Sequence, residues 1–317
     1  MPNAPHRRPL SLRSAASRLA KGFTLIELLV VIAVIALLIS ILLPALKGAR
    51  VAAWKAISAG NVRSICQAGA AYQHDNKGSL PIVPTGVPVP QNITAWITWG
   101  GWGKCASMAW RPPRAPSPVF DIAPDSRPLN PYFTQERVPS MQEMILDGTI
   151  RKTFQMNMFR DPGDRRGHQQ TWNAFDPTYG IANPNADGST CYDDVGTSYL
   201  LQAKWFSQTE LYVGGNWTKA WRLGAERLRV SDGYFSSRMV WVNDENTDIT
   251  INQPRNDAKI VNGYGDINKG ILGFLDGHAK YTNLIPGGES DPRRRTTPWL
   301  VPAYSNSEYT VVFPDLR

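Results

Sequence analysis

Glu27 is the single charge inside an apolar run of 24 residues, Phe23 to Leu46. A carboxylate in hydrocarbon costs about 2.5–3.5 kcal/mol or more unless a partner compensates it. Its type and position therefore raise the question of what Glu27 pairs with. A second group of candidates is Asn183, Asn185, Asp187 and Asp194, with Gly188 at a sharp turn and Ser189 nearby. Their spacing is that of oxygen ligands in a calcium loop. Two departures count against it: Asn stands for the first acid and Asp for the terminal bidentate Glu. Calcium and a plain Asn/Asp/Gly turn both stand as readings. Three cysteines, Cys66, Cys105 and Cys191, allow at most one intramolecular disulfide. Cys105 with Cys191 is the candidate pair, because both fall in loop-rich stretches; three free thiols is the alternative. His278 is one of four histidines, and no nucleophile stands at a recognisable spacing from it. It reads as a surface histidine beside a turn rather than as a catalytic base.

The elements that position these groups follow from periodicity and breakers. At about 1.5 Å per residue a helix over 23–46 spans about 36 Å, enough to cross a bilayer core of about 30 Å. Helical spacing continues through Ala49, Ala53, Ile57, Ile65, Ala68 and Tyr72, which would form the packing face, with Arg50, Lys55, Ser58, Arg63, Gln67 and Gln73 mainly elsewhere. The pattern stops at Asp75-Asn76-Lys77-Gly78, with Gly78 as a left-handed stop and Pro81 beyond. Pro44 removes one backbone donor and should kink or locally open the helix. Residues 81–139 hold twelve prolines, which excludes a long helix and disfavours central strands. Within them Trp96, Trp99 and Trp102, followed by Trp110, suggest either a carbohydrate-stacking platform or aromatics packing irregular loops; without paired carboxylates nearby, packing is favoured. Further on, Thr197–Leu201, Met239–Val242 and Gly270–Leu275 read as strands. Leu275–Tyr281 reads as a hairpin with Asp276-Gly277 in its turn.

Lys21-Gly22-Phe23-Thr24-Leu25-Ile26-Glu27, followed by the apolar run and Pro44, resembles the processing site of type IV prepilins and the pseudopilins of type II secretion. The resemblance implies cleavage by a prepilin peptidase between Gly22 and Phe23 and N-methylation of Phe23. Glu27 then becomes the fifth residue of the mature chain and Pro44 the twenty-second, where the family also tends to place a proline. A free amine at Phe23 would be largely protonated near neutral pH. In a bundle of staggered parallel helices it would sit beside the Glu27 carboxylate of a neighbour and set the axial register. Two further stretches, Asn61 to Pro81 and Asp276-Gly277-His278 with the strand after it, resemble large pilin-like proteins of environmental bacteria. Phe159-Arg160-Asp161-Pro162-Gly163-Asp164 is similar to their Cys-Pro-x-Asp segment, but the cysteine is absent, so no disulfide or metal role is carried over. Calcium in an acidic head loop is a feature of major pseudopilins, which bears on Asp187 and Asp194.

Residues 1–22 hold Arg7, Arg8, Arg13, Arg18 and Lys21 and no acid; removing those five from a net charge of +8 leaves +3. The basic balance is thus largely a property of the leader. It argues for a cytoplasmic N-terminus by the positive-inside rule, moderated by Lys47, Arg50 and Lys55 on the far side, and not for a specific nucleic-acid partner. The apolar stretch is too long for the core of a cleaved secretory signal. The expected fold class is α+β: a long N-terminal helix packed on a C-terminal antiparallel β-rich head. The expected division is leader 1–22, membrane and filament-core helix 23–46, amphipathic periplasmic helix 47–77, Pro/Trp-rich connection 78–139 and head 140–317. The resemblance implies a non-enzymatic filament subunit in the bacterial inner membrane, single-pass, with a periplasmic head that becomes extracellular on assembly. Its partners would be the prepilin peptidase, other pilin or pseudopilin subunits, the inner-membrane assembly platform and the lipid bilayer. A membrane-anchored module binding polysaccharide on a Trp-rich head is the alternative, and an enzyme fused to the signal is third.

Overall fold

The computed structural model describes residues 23–81, 83–84, 93–94, 98–101, 124–134, 136–140, 143, 155–165, 190–202, 204–205, 219–220, 223–228 and 235–313. The chain divides into two compact units, Met1–Arg50 and Val51–Arg317. One helix, α1 (Leu25–Asp75), begins in the first and ends in the second. Within the first unit every residue from Phe23 to Arg50 is exposed, and α1 runs through Pro44. The helix is long and apolar enough to cross a membrane. Ser40 lies in the apolar stretch, and its hydroxyl donates to the Leu37 carbonyl at 2.7 Å, so it needs no outside partner.

The second unit is built on a four-stranded antiparallel sheet. Its strands are β3 (Tyr199–Leu201), β4 (Val240–Asp244), β5 (Lys269–Phe274) and β6 (Ala279–Asn283), in the order β3-β4-β5-β6. The expected α+β architecture is the one observed. In the proline-rich stretch the described residues form a two-residue antiparallel pair, β1 (Val83–Pro84) with β2 (Ile93–Thr94), and two single-turn 3-10 helices, Pro124–Ser126 and Asn130–Tyr132. The hairpin joining β5 to β6 turns at Asp276-Gly277 as the sequence indicates. Gly277 has φ 88° and its N–H donates to the Phe274 carbonyl at 2.9 Å. The end of α1 also follows its sequence signal: Gly78 has φ 80° and closes the helix by donating to the Gln73 carbonyl at 2.7 Å.

The packing face of α1 matches the stripe that periodicity suggests at Ile65, Ala68 and Tyr72 but departs from it in the preceding turns. The buried positions are Ser58, Val62, Ile65, Cys66, Ala68 and Gly69, whereas Ala49 and Ala53 are exposed and Ile57 is 52% exposed. The apolar count misplaces the upper half of the face for two reasons. Ser58 is a polar member of it, its hydroxyl 2.7 Å from that of Tyr199. The contact surface also needs small residues where the sheet comes close: a Cβ on Gly69 would lie 2.0 Å from the Trp241 ring, and one on Gly273 would lie 2.6 Å from both Cys66 and Val62.

Trp241 reaches α1 because β4 carries a bulge. Val240 pairs with Phe274 and Val242 with Gly273, so Trp241 is the extra residue. Trp241 and Val242 therefore both join the core on the α1 side, with Trp99, Tyr199, Leu201 and Ile271. Val240, Leu272 and Phe274 face the other way, into a second core with Val301, Tyr304, Tyr309 and Val311 from the C-terminal segment. Covered on both faces, β4 is buried at all five positions. Trp99 is also wholly buried, donating its indole N–H to Thr197 Oγ1 at 3.1 Å and the Tyr199 carbonyl at 3.0 Å. It is a core residue and not part of a stacking surface; Trp96, Trp102 and Trp110 lie outside the described residues.

The contact between Gly69 and Trp241 makes a prediction with a built-in control. Valine at Gly69 is expected to destabilise the head by about 1–3 kcal/mol through overpacking. At Gly60 a Cβ meets nothing within 4 Å, so alanine there should stabilise by roughly 0.5–1 kcal/mol through helix propensity. Urea unfolding followed by tryptophan fluorescence reads both. A Gly69→Val variant as stable as the parent would mean that α1 and β4 are not in this contact.

Candidate functional site

The helix start is organised around Glu27. Thr24 precedes the first helical residue, and the two side chains cap one another. The Thr24 N–H and hydroxyl donate to Glu27 Oε2 at 2.9 and 2.8 Å, while the Glu27 N–H donates to Thr24 Oγ1 at 3.2 Å. This is a capping box: a Thr-x-x-Glu spacing that satisfies the helix's orphan donors. Its negative member also lies at the positive end of the helix dipole. Both Thr24 bonds fall on Oε2, so among the described residues Oε1 carries no hydrogen bond. Phe23 lies just before this box and is 72% exposed. Gly22, Lys21 and the rest of the leader lie outside the described residues. The arrangement holds a carboxylate at the capped start of α1, four residues after Phe23.

The other candidates are distributed differently. Asn183, Asn185 and Asp187 lie outside the described residues, as does Cys105. Asp194 falls in a short helix, α2 (Cys191–Val195), that the sequence reading did not anticipate. Its signal was present as Thr190-x-x-Asp193: the Thr190 hydroxyl and N–H donate to Asp193 at 2.9 and 3.1 Å, and the Asp193 N–H returns to Thr190 Oγ1 at 3.2 Å. Cys191 is buried at the start of this helix, its thiol 3.7 Å from Glu245 Oε2. Cys66 is a buried free thiol, and desolvation pushes its pKa up to about 12. His278 stacks on Phe274 with ring centroids 4.1 Å apart, and its Nδ1 lies 2.5 Å from Asp276.

A cluster that sequence reasoning passed over lies in the head. Asp161, Asp164, Asp244 and Glu245 line a cavity of about 320 Å³ together with Arg165, Ser198, Tyr264 and others. Asp164 accepts the N–H groups of Cys191 and Tyr192 at 3.0 and 2.9 Å, capping α2 from outside, and the Ser198 hydroxyl at 2.5 Å. Asp161 accepts the Gly163 N–H at 2.8 Å and the Tyr264 hydroxyl. Asp244 caps a further helix, α3 (Glu245–Ile251), by accepting the Thr247 N–H and hydroxyl at 2.9 and 2.5 Å, and it also accepts the Ile271 N–H at 3.2 Å. Burial raises the pKa of all three aspartates, that of Asp164 and of Asp244 to about 7. The hydrogen bonds oppose that shift without cancelling it. Among the described residues no group of three or more acidic, His or Cys side chains is arranged to hold a metal ion. The motif around Asp161 and Asp164 was visible in the sequence, but without its cysteine it carried no chemistry. Asp244 had only the generic signal of a helix cap.

No curated protein and no solved structure matches the chain. A family model, the prokaryotic N-terminal methylation motif, matches residues 17–43. Those residues run from the leader through Gly22, Phe23, Thr24 and Glu27 into the exposed apolar part of α1. A prepilin-type methylation motif joined to this long apolar helix fits a type IV pilin-like protein.

Proposed function

We propose that the chain is a structural subunit, not an enzyme, of a type IV pilus-like or type II secretion pseudopilus-like filament. Prepilin peptidase would cut between Gly22 and Phe23, the new terminus would be N-methylated, and the N-terminal helix would carry assembly. Before assembly the helix anchors the chain once in the inner membrane, with the leader cytoplasmic and the head periplasmic. Afterwards it packs among the helices of other pilin subunits delivered by the assembly platform, and the head faces outward. The observation that carries this reading is the capped start of α1 inside the matched motif. Thr24 neutralises part of the cost of Glu27 within one chain, so a solitary subunit can hold the carboxylate in an apolar setting. Oε1 then remains for the Phe23 amine of a neighbour, which fixes the axial stagger.

Mass spectrometry of the N-terminus of membrane-extracted chain from cells with active prepilin peptidase tests this directly. The expected terminus is Phe23 with a single methyl group on its nitrogen. An intact Met1 terminus, or cleavage elsewhere, would remove the basis for filament assembly.

A further inference from the structure

The hairpin β5–β6 leaves one edge of the sheet open. β6 is the last strand in the order, and its register with β5 is regular over five residue pairs, with no bulge. Beyond its two ends the Phe274 N–H donates to the His278 carbonyl at 3.0 Å and the Leu284 N–H to the Asn268 carbonyl at 2.7 Å. In an antiparallel ladder the residues bonded to a given neighbour alternate. His278, Lys280, Thr282 and Leu284 therefore turn their backbone groups toward β5, and Ala279, Tyr281 and Asn283 turn theirs outward. Among the described residues no hydrogen bond ends on these outward N–H and C=O groups.

α1 runs beside this edge. The Lys55 ammonium lies 4.7 Å from the centre of the Tyr281 ring. Further along, Gly60, Arg63 and Gln67 line a cleft of about 480 Å³ together with the Asp276-Gly277 turn and Ala279. Glycines keep the cleft open: a Cβ on Gly60 or on Gly277 would meet nothing within 4 Å. Asp276 accepts the His278 N–H at 3.1 Å and lies 2.5 Å from its Nδ1. Arg63 and Gln67 are exposed, and among the described residues their side chains make no hydrogen bond or ion pair.

We propose that β6 and this cleft are a docking site for an extended segment of a partner protein, which adds a strand beside β6 and sets a carboxylate side chain against Arg63. The outward backbone groups specify an extended occupant, because another strand matches donors and acceptors at this repeat. The cleft specifies the charge. A residue opposite Ala279 presents its side chain on the same face as Ala279, which packs against the core on the α1 side. That side chain enters the cleft, where Arg63 offers an unpaired guanidinium and Gln67 a second donor.

Fluorescence anisotropy of a labelled, capped probe peptide, Thr-Val-Thr-Glu-Thr-Val-Thr, with the full-length chain in detergent tests this. The expected Kd is about 1 mM or tighter, within reach of a few main-chain hydrogen bonds and one charge-assisted contact. Glutamine for glutamate in the peptide, or Arg63→Gln in the protein, should weaken binding roughly tenfold, and the two changes together no further. Gly60→Leu should fill the cleft, keep the melting temperature and abolish binding. Methylating the backbone nitrogen of every second peptide residue, counted from the glutamate, should abolish it too, because those donors face β6. Lys280→Gln, on the opposite face of β6 and paired with Glu308, should leave binding unchanged. No saturable binding up to about 5 mM peptide, full binding by the methylated peptide or to Gly60→Leu, or equal losses with Arg63→Gln and Lys280→Gln overturns the proposal. Self-association of the parent chain that Gly60→Leu abolishes would give the edge to a second copy and overturns it as well.

Discussion

Gly22→Val is expected to leave the chain uncut in the membrane, with its leader attached and Phe23 unmethylated. A peptidase that accepts only a very small residue before the scissile bond rejects two methyl groups sterically. Discrimination of roughly 10–200-fold per added carbon in a tight pocket makes the loss close to complete. The uncut chain keeps a peptide nitrogen at Phe23 in place of an amine, so it also loses the cation that would pair with Glu27 of a neighbour. Two readouts should therefore fail together: the processed species in N-terminal mass spectrometry, and chain recovered in sheared filaments. The head should be untouched, because residues 1–50 form a separate unit; an unchanged melting temperature checks this. A normal Phe23 terminus from the variant would show that Gly22 is not the recognition residue.

Glu27→Val is expected to separate processing from assembly. The substitution removes an insertion penalty of about 2.5–3.5 kcal/mol, so the variant should stay in the membrane at least as well as the parent. Cleavage after Gly22 should proceed, because the scissile bond is unchanged. Incorporation into filaments should drop by about tenfold or more: truncating one partner of a desolvated charge pair costs roughly 2–5 kcal/mol, and each 1.4 kcal/mol is a factor of ten. Part of the effect arises within the chain, since valine also breaks the capping box with Thr24. Thr24→Val isolates that part. It removes the Thr24 hydroxyl and leaves the carboxylate, so it should cost helix-start stability of about 0.5–2 kcal/mol but keep the register partner. Assembly of Glu27→Val at the level of the parent chain would count against an ion pair between subunits. Equal assembly defects in the two variants would assign the effect to the cap alone.

The N-terminal third was legible because its signals are local. A lone acid near the start of a run of 24 apolar residues is read within a few positions, and Thr-x-x-Glu at the helix start, equally local, went unread. Hydrophobicity and capping chemistry then fix a long helix with a defined beginning, and Gly78 fixes its end. The β5–β6 hairpin was legible for the same reason, since Asp276-Gly277 carries its turn geometry with it. What the sequence did not show depends on residues far apart in the chain. The face of α1 that packs was decided by where Trp241 arrives, and that depends on a bulge placing two consecutive residues on one side of β4. Periodicity cannot anticipate a bulge, and it counts Ser58 as solvent-facing when Tyr199 is its partner across 141 positions. The carboxylate cluster is a stronger case. Asp161, Asp164, Asp244 and Glu245 are ordinary turn and capping residues one at a time. Only tertiary packing brings them around one cavity, and desolvation together with the charge of Asp161 then raises the pKa of Asp164 and Asp244.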